Sequence, residues 1–298
     1  MKVENKFPGK DISQDDLLTK FPLAAKKTQD HKTRFVIAGV EFGGETIPVF
    51  AGPNMVESQE LIIDIAKNVK ASGAHFLRGG AFKPLTFPYR SPKYNETREQ
   101  GLSWLADAKR EVGIPVITEV MEEKYIDAIA EVSDILQIGT RNMQNFPFLT
   151  ACAKTGKPIM LKRHYGASLR DWLGAAEYIL IEGNEKLILC ERGVSVPHTH
   201  RSTSRFLLDL QVIPAAQEIT HLPVVIDPSH ATFWRPWVAP MALAGIAAGA
   251  DGVMLEVHPD PQNAAVDPLQ PIDYAEFHSL MKKMDSVAKA SYSRNVFL

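Results

Sequence analysis

No stretch of this sequence approaches the ~20 apolar residues that a helix needs to cross a bilayer, and its start, "MKVENKFPGKDISQDD", has no apolar signal core. A membrane span and a secretory leader are therefore not expected, and no membrane partner is expected. Cysteine is scarce, with Cys152 and Cys190 the two present. Their separation excludes metal-pair spacing and argues against a disulfide framework, so a reduced, cytoplasmic setting is expected. An excess of positive charge is also missing, since 33 Lys and Arg face 35 Asp and Glu. Nothing in that balance attracts nucleic acid or an anionic surface, and any anion site must be local. No Gly-x-Gly-x-x-Gly turn follows an early strand, which disfavours a dinucleotide fold.

What is present is regular. The chain has 298 residues, 45% hydrophobic and 23% charged, a composition typical of soluble globular proteins. That length fits two ordinary domains or one α/β barrel, which takes about 250 residues. Eight short apolar runs recur: "IPVFAG" (47–52), "HFLRGG" (75–80), "PVITEV" (115–120), "ILQIG" (135–139), "PIMLK" (158–162), "KLILCER" (186–192), "PVVIDPSH" (223–230) and "GVMLEVH" (252–258). Between them lie segments of helical periodicity. In "SQELIIDIAKNVKASG", Leu61, Ile62, Ile65, Ala66 and Val69 share one face and Gly73 marks a stop. Strands apolar throughout, alternating with helices, predict a parallel sheet covered on both sides. Eight units predict closure into a (β/α)8 TIM barrel, with an open doubly wound sheet as the alternative. "RFVIAGVEFGGETIPVF" predicts an N-terminal β-hairpin extension turning at "GGE" and covering the barrel's bottom. Residues 1–34 form a polar lead-in and 35–298 one barrel including its hairpin. No linker divides the chain, and no separate regulatory domain is expected.

Chemistry in such barrels sits at the C-terminal ends of the strands. Those ends read Asn54, Arg78, Glu119, Arg141, Lys162 with Arg163, Arg192, Asp227 with His230, and Glu256 with His258, and Lys83 follows in the second loop. One Lys or Arg alone reads as a solvated surface charge. Arg78, Lys83, Arg141, Lys162 and Arg192 together predict a site for a small substrate with phosphate and carboxylate groups. His230, Glu256 and Asp267 form a set suited to a divalent ion of the manganese, iron or zinc kind. His230 reads equally well as a satisfied buried imidazole, and Asp227 as a turn-forming carboxylate. "PHTHRSTSR" (197–205) reads as a polar loop rather than a metal tract.

The blocks "LRGGAFKP", "LQIGTRNMQNF", "KPIMLKR", "AAEYILIEGNEKLILCERG", "LPVVIDPSHAT" and "GIAAGADGVMLEVHPDP" closely resemble the type I β subclass of 3-deoxy-D-arabino-heptulosonate 7-phosphate synthases, relatives of the 3-deoxy-D-manno-octulosonate 8-phosphate synthases. The likeness runs from about Ile47 to Met284. It implies a barrel that joins phosphoenolpyruvate to a phosphorylated aldose and releases phosphate. It further implies that Arg78, Lys83, Arg141, Lys162 and Arg192 hold phosphoenolpyruvate, assisted by Thr86, Arg163 and Arg205 on the substrate side. Lys162 is the candidate proton donor, and His230 and Asn54 complete the catalytic set. Relatives form dimers or tetramers, so a homodimer or homotetramer is expected. Feedback inhibition by aromatic amino acids is not expected.

Two positions depart from the family pattern. The family's Gly-Pro-Cys turn, whose thiolate joins a histidine, a glutamate and an aspartate on a metal, appears here as Gly52-Pro53-Asn54. An amide is a weaker donor than a thiolate for a soft or borderline ion, and the metal-independent octulosonate synthases carry asparagine at this turn. No metal cofactor is therefore expected, with His230, Glu256 and Asp267 a weak or vacated site; manganese, cobalt or zinc is the alternative. Asn54 would then orient aldehyde or water, and it also reads as a helix N-cap. The second departure is Leu85, where the family has an arginine for erythrose 4-phosphate, and Ser204-Arg205-Phe206-Leu207 stands for the family's Thr-Arg-Asn-Thr. Erythrose 4-phosphate remains the default acceptor. Arabinose 5-phosphate or a less polar aldehyde, or a catalytically silent barrel that binds phosphoenolpyruvate, are the alternatives.

Overall fold

Each apolar run becomes a strand. In the structure, a computed structural model that describes residues 6–7, 10–11, 14–82, 96–202 and 206–297, eight parallel strands close into a barrel among the described residues. They are β1 (Val49–Gly52), β2 (Phe76–Arg78), β3 (Val116–Val120), β4 (Ile135–Ile138), β5 (Ile159–Lys162), β6 (Leu187–Glu191), β7 (Val224–Ile226) and β8 (Gly252–Glu256). Each pairs with its sequence neighbours, and β8 closes on β1 through the register Val253↔Val49 to Glu256↔Gly52. Both faces of these strands are covered, which is why their hydrophobicity does not alternate.

Among the described residues the main helix after each strand packs outside the barrel: α1 (Gln59–Ala71), α2 (Arg98–Val112), α3 (Ile126–Val132), α4 (Phe146–Lys154), α5 (Leu169–Leu180), α6 (Val212–Ile219), α7 (Arg235–Ala247) and α8 (Tyr274–Tyr292). In α1 the predicted face is buried through Ile62, Ile65, Ala66 and Val69, and Ser58 caps the start. Each buried aliphatic side chain there contributes about 2 kcal/mol. Among the described residues no helix is long and apolar enough to cross a membrane.

The hairpin forms, but not where the glycine pair suggested. Phe35–Ile37 pairs with Val40–Phe42, and the turn is Ala38-Gly39, both with positive φ. That two-residue geometry matches the right-handed twist of the flanking strands. Gly43 and Gly44 instead lead out of the hairpin, and the run after them is β1 itself. The hairpin's Ile37, Val40 and Phe42 pack on Phe50, Phe76, Ile117, Ile135, Met160, Ile188, Val225 and Met254, which come from the barrel strands. Phe42 lies 5.7 Å from Phe76 and 6.0 Å from Phe50 between ring centroids. The N-terminal end of the barrel is thus an apolar plug, and polar chemistry is confined to the other end.

The lead-in also packs on the barrel. Leu17 on a helix at Gln14–Lys20, with Phe21, Ala24 and Ala25, joins the core between strands and helices. The Glu177 carboxylate of α5 accepts from the amides of Leu23 and Ala24, and Ala25 bridges Thr220.

His75, at the entry to β2, is buried and its Nδ1 accepts from the Val49 amide at 3.1 Å. Burial lowers its pKa from 6.5 to about 4. The unfolded chain therefore takes up this proton first as pH falls, so the contribution is complete above about pH 6.5 and is lost toward about pH 4. Comparing urea unfolding near pH 7.5 and pH 4.5, the His75→Gln variant is expected to lose about 2 to 3 kcal/mol less on acidification than the unmodified chain.

Candidate active site

The turn "AGPN" shapes the site from its first residue. Gly52 has φ 148, and a Cβ there would lie 2.1 Å from the carbonyl oxygen of Arg78. Only glycine lets the end of β1 press against the end of β2. Asn54 then stands beside Arg78: its amide oxygen accepts from Arg78 Nη2 at 2.7 Å, and its amide nitrogen donates to Asp267 Oδ2 at 2.7 Å. The helix-capping reading of Asn54 fails, because Ser58 accepts from the Leu61 amide instead. Asp267 sits at φ 51, a left-handed conformation that costs about 1 kcal/mol.

A buried polar network crosses the barrel from this point. Arg78 Nη1 is 3.4 Å from Glu256 Oε2 and has no hydrogen-bond partner among the described residues. Glu256 Oε2 accepts from Gln270 Nε2 at 2.5 Å, and His230 Nε2 lies 3.9 Å away. His230 Nδ1 is 2.9 Å from Asp227 Oδ2, close but poorly aligned. Asp227 Oδ2 is also 2.5 Å from Lys162 Nζ. The Asp227 turn reading holds as well, since Oδ1 caps the short helix Pro228–Thr232 by accepting from the His230 amide.

The charges set the protonation states. Burial alone would raise the Asp227 carboxyl, but His230, Lys162 and Arg78 outweigh it and hold it well below the usual carboxylate range. Burial pushes His230 well below its ordinary value, and Lys162 and Arg78 push the same way against Asp227. The site therefore presents an ionised carboxylate beside a neutral imidazole.

The other predicted residues divide. Arg163 is buried, and its Nη1 is shared by Glu191 at 3.0 Å and Asp209 at 2.9 Å while Nε donates to the Ala167 carbonyl. Arg192, nine-tenths buried, lies over the Phe206 ring at 4.2 Å. Arg141 is exposed just beyond β4. Lys83, Thr86, Leu85, Ser204 and Arg205 lie outside the described residues. In the loop after β6, His200 meets the edge of Trp237 and Arg201 lies over Trp234. A cavity of ≈ 390 Å³ lined by Arg34, Phe35, Lys154 and Lys186 opens at the opposite end of the barrel and holds none of these groups.

Two of the side chains at the expected metal position are engaged by other groups. Asn54 spends its oxygen on Arg78 and its nitrogen on Asp267, and Glu256 is engaged by Gln270. Among the described residues no three His, Cys, Asp or Glu side chains converge to hold a metal ion.

The sequence profile of the DAHP synthetase I family matches residues 22–290. The chain belongs to that family. It is 36% identical to a phospho-2-dehydro-3-deoxyheptonate aldolase of Thermotoga maritima, over 97% of this chain and 84% of the relative. A 2-dehydro-3-deoxyphosphooctonate aldolase of Methylococcus capsulatus is 30% identical over 86% of this chain and 95% of its own. The crystal structure of the Thermotoga maritima DAHP synthase superimposes with a TM-score of 0.84, covering 90% of this chain and 77% of that one. A truncated form of the same enzyme gives 0.82 over 91% and 97%. The match begins well before Ile47, the first residue of the likeness seen in sequence, because the strap around Phe21 to Ala25 is part of the fold.

Within this family of carbon–carbon bond-forming enzymes, the barrel brings Asn54, Arg78, Lys162, His230, Glu256 and Asp267 into one network. Sequence reasoning missed Gln270, which is fully buried against Glu256 but sits in a loop with no pattern to mark it. It also missed Glu191, whose signal was present: a carboxylate at the end of the apolar run "KLILCER".

Replacing Lys162 by Met strands the Asp227 carboxylate and is expected to cost about 3 to 5 kcal/mol in denaturant unfolding. Adding Asp227→Asn should recover most of that loss, whereas activity stays abolished in both variants.

Proposed function

We propose that this chain condenses phosphoenolpyruvate with erythrose 4-phosphate, releasing phosphate, and that it does so without a bound metal. The observation that carries the reading is the pair of buried cations Arg78 and Lys162, which end β2 and β5 and belong to one buried polar network. A buried Arg78 nitrogen with no hydrogen-bond acceptor among the described residues calls for an anion. Phosphoenolpyruvate supplies a phosphate and a carboxylate for such groups, and the names of the heptonate and octonate relatives point to the same donor chemistry.

In this reading C3 of phosphoenolpyruvate attacks the aldehyde carbon and water adds at C2. The tetrahedral intermediate then loses phosphate, so phosphoenolpyruvate, aldose phosphate and water become the deoxy sugar acid phosphate and inorganic phosphate. Arg78, Lys162 and Arg192 offset charge on the phosphate and carboxylate, where low local dielectric strengthens each interaction. Lys162 gives a proton to the aldehyde oxygen, and neutral His230 takes one from water. Asn54 supports the metal-free reading: it ties Arg78 to Asp267 by two hydrogen bonds, joining cation to carboxylate where the family thiolate would hold an ion.

The setting proposed is cytoplasmic, supported by two buried thiols, Cys152 and Cys190. The chain is proposed to self-associate as a homodimer or homotetramer, supported by the exposed, stacked rings of Phe146 and Tyr178 with Ile181 one turn on.

Phosphate release is to be measured with phosphoenolpyruvate and erythrose 4-phosphate, arabinose 5-phosphate or less polar aldehydes, each with chelator and with added manganese. Erythrose 4-phosphate should give the fastest release, unchanged by chelator within about twofold, a difference of under about 0.5 kcal/mol in barrier. Loss of activity with chelator and recovery with manganese would overturn the metal-free reading. Binding of phosphoenolpyruvate without phosphate release under any condition would leave a silent barrel.

A further inference from the structure

Glu191 is the last residue of β6, with no solvent exposure, and of the residues expected on the substrate side its carboxylate meets Arg163. Its two oxygens are fully engaged. Oε1 accepts from the amides of Gly193 at 2.7 Å and Asp209 at 3.3 Å, and Oε2 faces Arg163 Nη1 at 3.0 Å. Asp209 holds the same guanidinium nitrogen at 2.9 Å and accepts from the Val212 amide at the start of α6. One carboxylate therefore gathers residues at both ends of the loop after β6 and ties them to the residue that follows β5.

The consequences reach the site by two short paths. Lys162 precedes Arg163 directly, and Arg192 follows Glu191 directly. Just beyond the clamp, Val194–Ser195 pairs with Phe206–Leu207, which sets Phe206 beneath the Arg192 guanidinium at 4.2 Å. Gly193 permits that approach, because with φ 99 its added Cβ would fall 2.8 Å from Phe206 Cβ. Burial raises the Glu191 carboxyl, and Arg163 with the two backbone amides draws it part-way back. A buried carboxylate of that kind is retained at a cost unless its geometry is used.

We propose that Glu191, assisted by Asp209, is a positioning residue that closes the base of the loop after β6 and so sets where Arg192 meets the substrate anion. Arg163 belongs to this clamp rather than to the substrate contacts. The inference rests on the phosphoenolpyruvate reading of the site. Contacts from Arg192 are made in the bound ground state and kept in the transition state, so loosening them raises KM and spares kcat.

The test compares Glu191→Gln and Asp209→Asn with the unmodified full chain, measuring kcat, KM for phosphoenolpyruvate and melting temperature. Glutamine offers one acceptor where three donors converge, so KM for phosphoenolpyruvate should rise at least about tenfold while kcat stays within about threefold. Asp209→Asn keeps the buried Glu191–Arg163 pair, so it serves if the first variant does not fold, and its KM should rise in the same direction by a smaller factor. A lowered melting temperature with unchanged KM in both variants would reduce the network to a structural brace and overturn the proposal. A fall in kcat with unchanged KM would overturn it as well. If the unmodified chain neither binds phosphoenolpyruvate nor releases phosphate from it, the functional reading fails first and takes this inference with it.

Discussion

Lys162 and Asp227 face each other at 2.5 Å with almost no access to water, and the upper half of the barrel is organised around that pair. Burying either charge alone would cost several kcal/mol, so each needs the other, and the carboxylate needs further donors for its remaining lone pairs. One comes from the His230 backbone, and the His230 ring lies alongside at 2.9 Å. The ring in turn lies toward Glu256, and Glu256 toward Arg78. A chain of polar contacts therefore runs from Lys162 through Asp227, the neutral His230 ring and Glu256 to Arg78, with a cation at each end and a carboxylate on either side of the ring.

The chain is not balanced within itself. Arg78 is held by Asn54 on one side and drawn toward Glu256 on the other, and among the described residues its Nη1 still has no hydrogen-bond acceptor. A protein does not keep such a group for stability. Its presence in a family of carbon–carbon bond-forming enzymes is accounted for by an anionic substrate that completes the set. Asn54 matters here because its two ends differ: oxygen serves the cation and nitrogen serves Asp267. A thiolate could not make both contacts.

The lower half of the barrel allows this upper half to exist. Phe42, Phe50 and Phe76 close the N-terminal end together with Met160 and Met254, so the strands are anchored by apolar packing that owes nothing to the site. The polar residues can then be arranged for binding rather than for holding the fold, which is the division of labour expected of this architecture. The clamp at Glu191 is the intermediate case, a polar group serving geometry rather than contact.

The eight strands could be read directly because both of their faces are buried, which makes each an unbroken apolar run. The buried ends Arg78 and Lys162 could be picked out because a barrel places the C-terminal ends of its strands at one mouth by construction. The hairpin turn could not be read from the glycines, since Ala38 carries a positive φ that its side chain does not advertise, and register decided the outcome. Nor could the partner of Asn54 be read, for Asp267 lies 213 positions away in the chain and meets it only when β8 closes on β1; the partners of Glu191 are nearer but lie in loops with no pattern to mark them. By itself the sequence determined the elements and the residue types at their ends, because periodicity and burial act locally. Which of those residues touch, and which charge neutralises which, was decided by closure of the barrel, because pairing across it depends on distances that no local pattern records.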